Sequence, residues 1–497
     1  MSRHTHQIEA PFRSSVRSPG SFRPLAAAGL LVGLASAPGI AFADDASTLL
    51  PAGATVETLD NGLKVVLLPI DTPGLVAVQT WMRVGSGEET VPGLTGFAHF
   101  FEHLMFHGTE EMPGPVREKK LLALSVTENA WTSQDATVYH LMLPAQNLDA
   151  VLKIEADRFQ ALSLEADGVR KEAGAVYGEF RKGRASPDRA VWEATWATAF
   201  SSHPYHHTTI GVEADIAAMP EQLDAARRFF TTWYRPENAT LVLAGDLEPG
   251  KARAIVLRTF GQWAPEAEAP PWPPTPVEPA QTGLKRAQVV WEAGPVNPRL
   301  AIAWRTPAHA PGSADAAALS LLPALLSSDV APLHRKLVDD ERRVRWIWAM
   351  EPENRHPGLF LMEMELAEGE DPAAVEADVL AAVQALVDDD SPEAVARLDM
   401  TRERKRRELL LGLDSAESWA GAFGRASLYG PPVRTLDAEV AAIAAVTRAD
   451  VVRVVERYLL PDTGRTVVTL VAPDAADPDT PPPPLGPDAP AAAGGAQ

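Results

Sequence analysis

The chain has 497 residues, with 66 acidic and 45 basic side chains and a formal net charge of −21 at pH 7. This acidity disfavours nucleic acids and anionic membrane surfaces as partners, because both carry negative charge. The chain has no cysteine, which excludes disulfide bonds and leaves histidine and carboxylate side chains as the candidate metal ligands.

The first 43 residues have the pattern of an export signal. Arginines up to Arg23 precede an apolar run from Leu25 to Ile40, and Ala41-Phe42-Ala43 is typical of a cleavage site. The run is too short for a typical membrane span, and no other apolar run approaches that length. We therefore expect cleavage after Ala43, a periplasmic location and no stable membrane span in the mature chain. A retained N-terminal anchor is the alternative.

The sequence after the signal predicts β-structure. Residues 55–69 alternate as a strand–turn–strand unit with Asp60-Asn61-Gly62 at the turn, and residues 76–84 form a second β-rich run. Gly85-Ser86-Gly87 ends that run just before the most informative segment of the chain, a short apolar helix.

This helix is predicted to end at Gly108, where glycine permits a left-handed turn. Its His99, Glu102 and His103 are spaced i, i+3 and i+4 and therefore share one face. Two imidazoles one turn apart can bind one metal ion, and the carboxylate can act on a water beside it. H-x-x-E-H is an inverted form of a zinc-peptidase signature. A solvated polar face is the alternative, but the apolar flanks favour a buried triplet that needs a partner such as a metal.

Three further segments follow. Residues 129–140 are rich in Thr, Trp, Val and Tyr and predict an extended strand. Residues 148–162 have apolar side chains at helical spacing. Residues 169–181 predict another helix, in which Glu172 and Glu179 lie two turns apart on one face. From spacing alone, two solvated carboxylates are the alternative for this pair.

A proline-rich connector, residues 266–283, divides the chain into halves of similar size. Each half ends with a similar helix-to-strand unit, which predicts two copies of one α/β domain. We expect a zinc-binding domain over residues 44–265 and a second homologous domain over residues 284–472. The second copy has an apolar helix from Ala314 to Leu326 and no H-x-x-E-H. The tail, residues 473–497, has little to bury and is predicted to be disordered.

The motifs together resemble the M16 zinc metallopeptidases, and most closely the bacterial members of the processing-peptidase branch. The resemblance covers most of residues 50–472 and rests on four motifs in order: Glu102–Thr109, Asn129–Thr132, His203–His206 and Tyr234–Leu241. It implies an α/β (α+β) fold of two homologous domains, each with a mixed, mostly antiparallel sheet covered by helices. It also implies a zinc endopeptidase that cleaves unfolded peptides or small proteins.

The resemblance also assigns roles to single residues. It makes His99, His103 and Glu179 the ligands of one Zn²⁺ per chain, and Glu102 the general base that activates a water at the zinc. Glu172 would support these ligands without binding the metal. Asn129 and Ala130 would bind the substrate main chain, although a turn residue is the alternative for Asn129. Four other histidines are expected to be structural: His107, His140, His206 and His207.

One departure from the family predicts a partner. Family members that act alone, or as identical pairs, carry an Arg and Tyr pair in the second half that contacts the substrate. Here Val338 stands about where the arginine is expected, and no tyrosine follows nearby. We therefore expect a heterodimer in which a non-identical M16 subunit supplies the pair, with a homodimer as the alternative. The alternative functions are a non-catalytic binding or assembly subunit and a metal hydrolase with another substrate.

Overall fold

A computed structural model describes residues 49–264, 268–351 and 353–484. The predicted export signal, residues 1–43, lies outside the described residues, as do residues 485–497 of the tail. The described residues contain two β-sheets, each with helices on both faces.

The strands are divided between the sheets by sequence half. The first sheet has the order β1-β2-β6-β3-β5-β4 and the second the order β7-β11-β8-β10-β9. Their bounds are β1 Thr55–Thr58, β2 Lys64–Pro69, β3 Leu75–Met82, β4 Thr127–Thr132, β5 Thr137–Pro144, β6 Ala239–Gly245, β7 Lys285–Val290, β8 Arg299–Thr306, β9 Val344–Met350, β10 Gly358–Leu366 and β11 Arg465–Val471.

The α-helices of the first half are α1 Phe97–Leu104, α2 Gly114–Ala123, α3 Leu148–Ala161, α4 Ala166–Gly183, α5 Pro187–Ala199, α6 Glu213–Ala218, α7 Leu223–Trp233 and α8 Pro249–Arg258. Those of the second half are α9 Ala314–Leu319, α10 Leu322–Ser327, α11 Pro332–His334, α12 Pro372–Asp388, α13 Pro392–Leu411, α14 Ala416–Ser427, α15 Pro432–Ala445 and α16 Arg448–Val454. Short 3₁₀ and π turns extend several of these helices.

The two sheets are built in the same way. In each half the last strand lies between two earlier strands. Strand β6 is parallel to β2 and antiparallel to β3, and strand β11 is parallel to β7 and antiparallel to β8. Two antiparallel strands follow on the other side in each sheet, β5 and β4 in the first and β10 and β9 in the second. The first sheet has one strand more, β1, which pairs antiparallel with β2. The predicted fold, two homologous domains with mixed, mostly antiparallel sheets covered by helices, is confirmed.

Each half contributes one helix to the outer face of the other half's sheet. Helix α5 packs Val191 and Trp196 against the second sheet, and α14 packs Ala420 and Phe423 against the first. Both faces of each sheet are therefore covered, which explains why the inner strands read as nearly continuous apolar runs. A boundary at the connector divides the sequence but does not divide the packing into two independent cores.

The proline-rich connector is attached to the first half by hydrogen bonds. The indole nitrogen of Trp272 donates to the carbonyl of Glu88 at 2.8 Å, and the Thr90 hydroxyl donates to the carbonyl of Pro273 at 2.8 Å. The carboxylate of Glu278 accepts backbone N–H groups of residues 201–203. These hydrogen bonds hold the described part of the connector against the first half.

The tail differs from its prediction in the part that the structure describes. The backbone N–H of Gln288 donates to the carbonyl of Pro481 at 2.8 Å, and the N–H of Asp477 donates to the Gln288 side chain at 2.9 Å. The prediction of disorder is therefore wrong for residues 473–484. The reason is that β7 is an edge strand whose backbone groups are available to a passing segment.

The apolar helix predicted from Ala314 is divided between α9 and α10. Among the described residues, Ala314–Asp340 is one helical stretch that is long and apolar enough to span a membrane by length and composition. The expectation that no apolar run after the signal approaches the length of a membrane span is therefore wrong. Its most apolar window is 56% buried inside the protein, and Leu319, Leu322 and Leu326 belong to the core of the second half. Packing in that core accounts for its apolar character.

Two glycines of α14 allow a test of the exchanged packing. A Cβ on Gly424 would lie 2.0 Å from Nε1 of Trp81 on the first sheet, whereas at Gly421 the nearest atoms, in the Gln79 amide, are 3.9 Å away. We expect Gly424→Ala to lower the free energy of unfolding by about 1–3 kcal/mol through overpacking. Gly421→Ala is the matched control and should leave it unchanged or raise it by up to ~1 kcal/mol, because alanine favours helices.

Denaturant unfolding of the two variants measures both effects. Equal stability of the Gly421→Ala and Gly424→Ala chains would contradict the close contact between α14 and Trp81.

Candidate metal centre

Helix α1 leaves one polar face partly exposed and buries its apolar side chains. It begins after Gly96, whose φ of 85° is left-handed, and four of its apolar side chains are fully buried: Phe97, Phe100, Phe101 and Leu104. His99, Glu102 and His103 are only partly buried. The amphipathic pattern thus fixes the helix by its apolar face and leaves the polar triplet beside β4 and α4.

Glu179 of α4 meets both imidazoles of α1. Its Oε2 lies 3.3 Å from Nε2 of His99 and 3.7 Å from Nε2 of His103. The donor atoms of these three residues all lie within 4.8 Å of one another. Zinc bonds of about 2.0–2.2 Å in a tetrahedron place neighbouring ligand atoms roughly 3.3–3.6 Å apart. Two imidazoles and a carboxylate at this spacing fit a zinc ion.

Glu172 joins two histidines on the other side of the cluster. Its Oε1 lies 2.9 Å from Nδ1 of His103, and its Oε2 lies 2.9 Å from Nε2 of His107. Burial would raise the pKa of Glu172, but the hydrogen bonds with these two rings outweigh burial and lower it. A carboxylate on Nδ1 fixes the ring plane of His103, whose Nε2 faces Glu179.

Glu102 is held between α1 and β4. Its Oε2 lies 3.2 Å from Nδ1 of His99 and accepts the Thr132 hydroxyl at 2.7 Å. Burial would raise the pKa of Glu102, but the bonds with His99 and Thr132 lower it, so the group is a carboxylate at neutral pH. Burial also lowers the pKa of His99, yet Glu102 and Glu179 outweigh it and raise that pKa to about 9.

Glu89 positions the start of α1 and was not found from the sequence. Its two carboxylate oxygens accept the backbone N–H groups of Gly96 and Ala98, each at 2.8 Å, and its side chain is fully buried. Helix α1 has no side-chain cap of its own. A carboxylate at a helix N-terminus satisfies free N–H groups and complements the helix dipole. The acidic pair Glu88-Glu89, which ends eight residues before Phe97, was the only signal in the sequence.

Strand β4 forms the edge of the first sheet next to α1. Among the described residues it pairs only with β5, so one line of its backbone groups faces outward. Asn129 lies inside this strand rather than in a turn, and its side chain is exposed, whereas Ala130 is buried. An edge of this kind can accept an extended peptide as an additional strand.

The remaining candidate histidines bind other partners. Nδ1 of His140 lies 2.9 Å from a Glu417 carboxylate oxygen on α14. The rings of His206 and His207 pair with backbone carbonyls at 2.8 and 3.0 Å. In the described residues none of the three lies in a group of metal-type donors, whereas His107 reaches the centre through Glu172.

Comparison with known proteins follows the same division of the chain. The family described as Insulinase (Peptidase family M16) matches residues 65–213, and the peptidase M16 inactive domain matches residues 221–399. The first match contains α1, β4 and α4. The second match lies mainly in the half that lacks the H-x-x-E-H motif.

Individual proteins resemble most of the chain. The zinc protease PqqE of Helicobacter pylori is 28% identical over 382 residues, which cover 76% of this chain and 84% of that protein. The crystal structure of a protease from Helicobacter pylori has a TM-score of 0.79 at 27% identity and covers 85% of this chain and 99% of that one. The periplasmic protease PqqL from Escherichia coli has a TM-score of 0.69 at 22% identity, with coverage of 87% and 50%. The chain belongs to peptidase family M16.

Proposed function

We propose that this chain is a zinc-dependent endopeptidase that cleaves unfolded peptides or small proteins. The observation that carries the proposal is the convergence of His99, His103 and Glu179, whose donor atoms lie within 4.8 Å of one another beside Glu102. The relative named as a zinc protease supports the same class of reaction. One Zn²⁺ per chain is the cofactor that this donor set would hold.

The side chains around the proposed zinc position have different roles in peptide hydrolysis. A zinc ion held by His99, His103 and Glu179 would acidify a water molecule and polarise the peptide carbonyl. Glu102 is the base that takes the proton from the attacking water, because its lowered pKa keeps it ionised. It then returns that proton to the leaving amine. Glu172 holds the His103 ring in place throughout.

Strand β4 provides the means of holding a substrate. We assign Asn129 and Ala130 to binding of the peptide main chain, because their strand has an outward edge next to α1. Pairing through backbone groups requires an extended chain and reads little of its sequence. A folded protein cannot offer such a segment, so unfolded peptides are the substrate class.

Two other functions explain less of the site. A non-catalytic binding or assembly subunit needs neither the base nor the metal donors, whereas here both are oriented by Thr132 and Glu172. A metal hydrolase with a non-peptide substrate has no use for the strand edge beside the metal position. We therefore keep the peptidase assignment.

The second half supports a need for a partner. Val338 packs against the core of this half. The Tyr429 hydroxyl donates to the carbonyl of Glu353, and the Tyr458 hydroxyl donates to Asp315 at 2.9 Å. These are the only tyrosines after the connector, so we propose that a non-identical M16 subunit supplies the Arg and Tyr pair. This chain covers 50% of the PqqL chain, so PqqL is long enough to contain two units of this size in one polypeptide.

We also propose a periplasmic location. The proposal rests on the export pattern of residues 1–43, which lie outside the described residues. The relative from Escherichia coli is called a periplasmic protease.

The first test replaces the proposed base. Glu102→Gln should lower the rate of cleavage of an unfolded peptide by at least about 100-fold, because the amide cannot take a proton. Zinc content, measured by mass spectrometry, should stay unchanged, because Glu102 is not one of the proposed ligands. Cleavage by Glu102→Gln at the parent rate would contradict the assigned role.

A second test separates the effect of Glu172 on the metal ligand His103 from its effect on the stability of α4. Glu172→Ala should weaken zinc binding about 10–100-fold, because His103 loses the carboxylate that orients it. Asp167→Ala is the control on the same helix, since Asp167 is fully exposed and makes only a 3.6 Å ion pair. Competition with a chromophoric chelator measures both affinities. Equal zinc affinities for the two variants would contradict the proposal that Glu172 supports the zinc ligands.

A third test concerns the partner. Addition of a separately purified M16 chain that carries the Arg and Tyr pair should raise peptide turnover by at least about 100-fold, the scale expected when missing transition-state contacts are restored. The same added chain with both residues changed to Ala and Phe is the control. Turnover that is already maximal for the single chain would overturn the heterodimer proposal.

A further inference from the structure

A second group of metal-type donors lies in the second half and has no role in the proposed reaction. His309 follows β8, Glu353 lies between β9 and β10, and Glu439 lies on α15. One donor atom from each lies within 4.8 Å of the others, the same spacing as in the first cluster. Three separate segments of the chain therefore bring one imidazole and two carboxylates together.

The imidazole of His309 lacks the partners that a buried ring normally has. Both of its ring nitrogens are shielded from solvent, and neither makes a hydrogen bond within the described part of the chain. The ring is nevertheless held in place, because it packs edge-on against Tyr429 with centroids 5.0 Å apart. Its backbone N–H also donates to the carbonyl of Asn354 at 2.8 Å. Unpaired buried nitrogens carry a desolvation cost that a bound ion would relieve.

The two carboxylates are oriented and still have free capacity. Arg425 donates to Oε2 of Glu353 and, at 2.9 Å, to Oε2 of Glu439. This leaves Oε1 of each carboxylate available, and a cation on one oxygen with a hydrogen bond on the other is a common arrangement around metals. The two carboxylates face two cationic groups, the Arg425 guanidinium and the Lys405 ammonium.

Several titratable and charged groups lie around the cluster. Burial lowers the pKa of His309, so the ring is neutral. Burial would raise the pKa of Glu353, but Arg425 outweighs it and keeps the group ionised. Lys405 and Glu351 are further titratable groups that act on the cluster, and burial raises the pKa of Glu351 to about 8.

We propose that His309, Glu353 and Glu439 bind a second divalent cation, of the zinc type that accepts both imidazole and carboxylate ligands. The position of Glu353 indicates a structural role. The next residue, Asn354, donates to the side chain of Gln134 in the turn after β4, and Arg355 donates to Glu88 just before α1, each at 2.8 Å. The cation would fix the loop through which the second half contacts the segments flanking α1.

Zinc counting tests this site without any use of peptidase activity. The chelator-treated full chain, reloaded with zinc alone and desalted, should hold two ions by mass spectrometry. The His99→Ala/His103→Ala variant should hold one, and addition of His309→Ala should reduce that number to zero. His334→Ala, which removes another imidazole of the same half, is the control and should leave one ion in the double variant.

Two results would overturn the proposal. One is a His99→Ala/His103→Ala chain that binds no zinc while its circular dichroism spectrum matches that of the parent. The other is a zinc ion that persists when His309→Ala is added to the His99→Ala/His103→Ala variant. If His309→Ala does not fold, Glu439→Gln keeps the shape of the site and should also lose the second ion; retention there equally refutes the site. Failure of the peptidase proposal would appear instead in the Glu102→Gln experiment.

Discussion

The contact between α1 and α4 is the interaction on which the rest of this structure depends. Helix α1 supplies two imidazoles and the carboxylate proposed as the base, but only α4 supplies the carboxylate that completes a donor set. The two helices are fixed by their apolar faces in one core, with Glu89 at the start of α1 and Glu172 between the histidines. The positions of the two helices are therefore determined by packing, and their polar side chains meet one another on the opposite faces.

Sequence reasoning predicted the elements better than it predicted their contacts. The periodicity of α1 and α4 is local, so the shared faces of His99 and His103, and of Glu172 and Glu179, follow from helix geometry alone. That Glu179 meets α1 depends on tertiary packing, and before the structure only family resemblance indicated it. The caps and bridges formed by Glu89, Thr132 and His107 have no periodic signal, because each joins segments that are distant in sequence or in different elements.

The second half shows what duplication preserves and what it does not. Its sheet repeats the order of five of the six strands of the first, yet the segment corresponding to α1 is an apolar, proline-containing pair of helices that fills a core. The polar residues of this half are concentrated elsewhere, around His309, Arg425 and the loop at residues 353–355. That loop contacts the first half near the metal centre, so the copy without the motif still determines how the other copy is held.

The exchange of α5 and α14 has a consequence for the origin of such chains. A single ancestral half would have had one bare sheet face and one helix with no place in its own fold. Two separate, identical halves could cover both faces of their sheets only by exchanging helices. The simplest arrangement of this kind is an intertwined dimer. In one polypeptide the connector makes this exchange of helices independent of protein concentration, and the packing of the two halves does not require both copies to carry the metal motif.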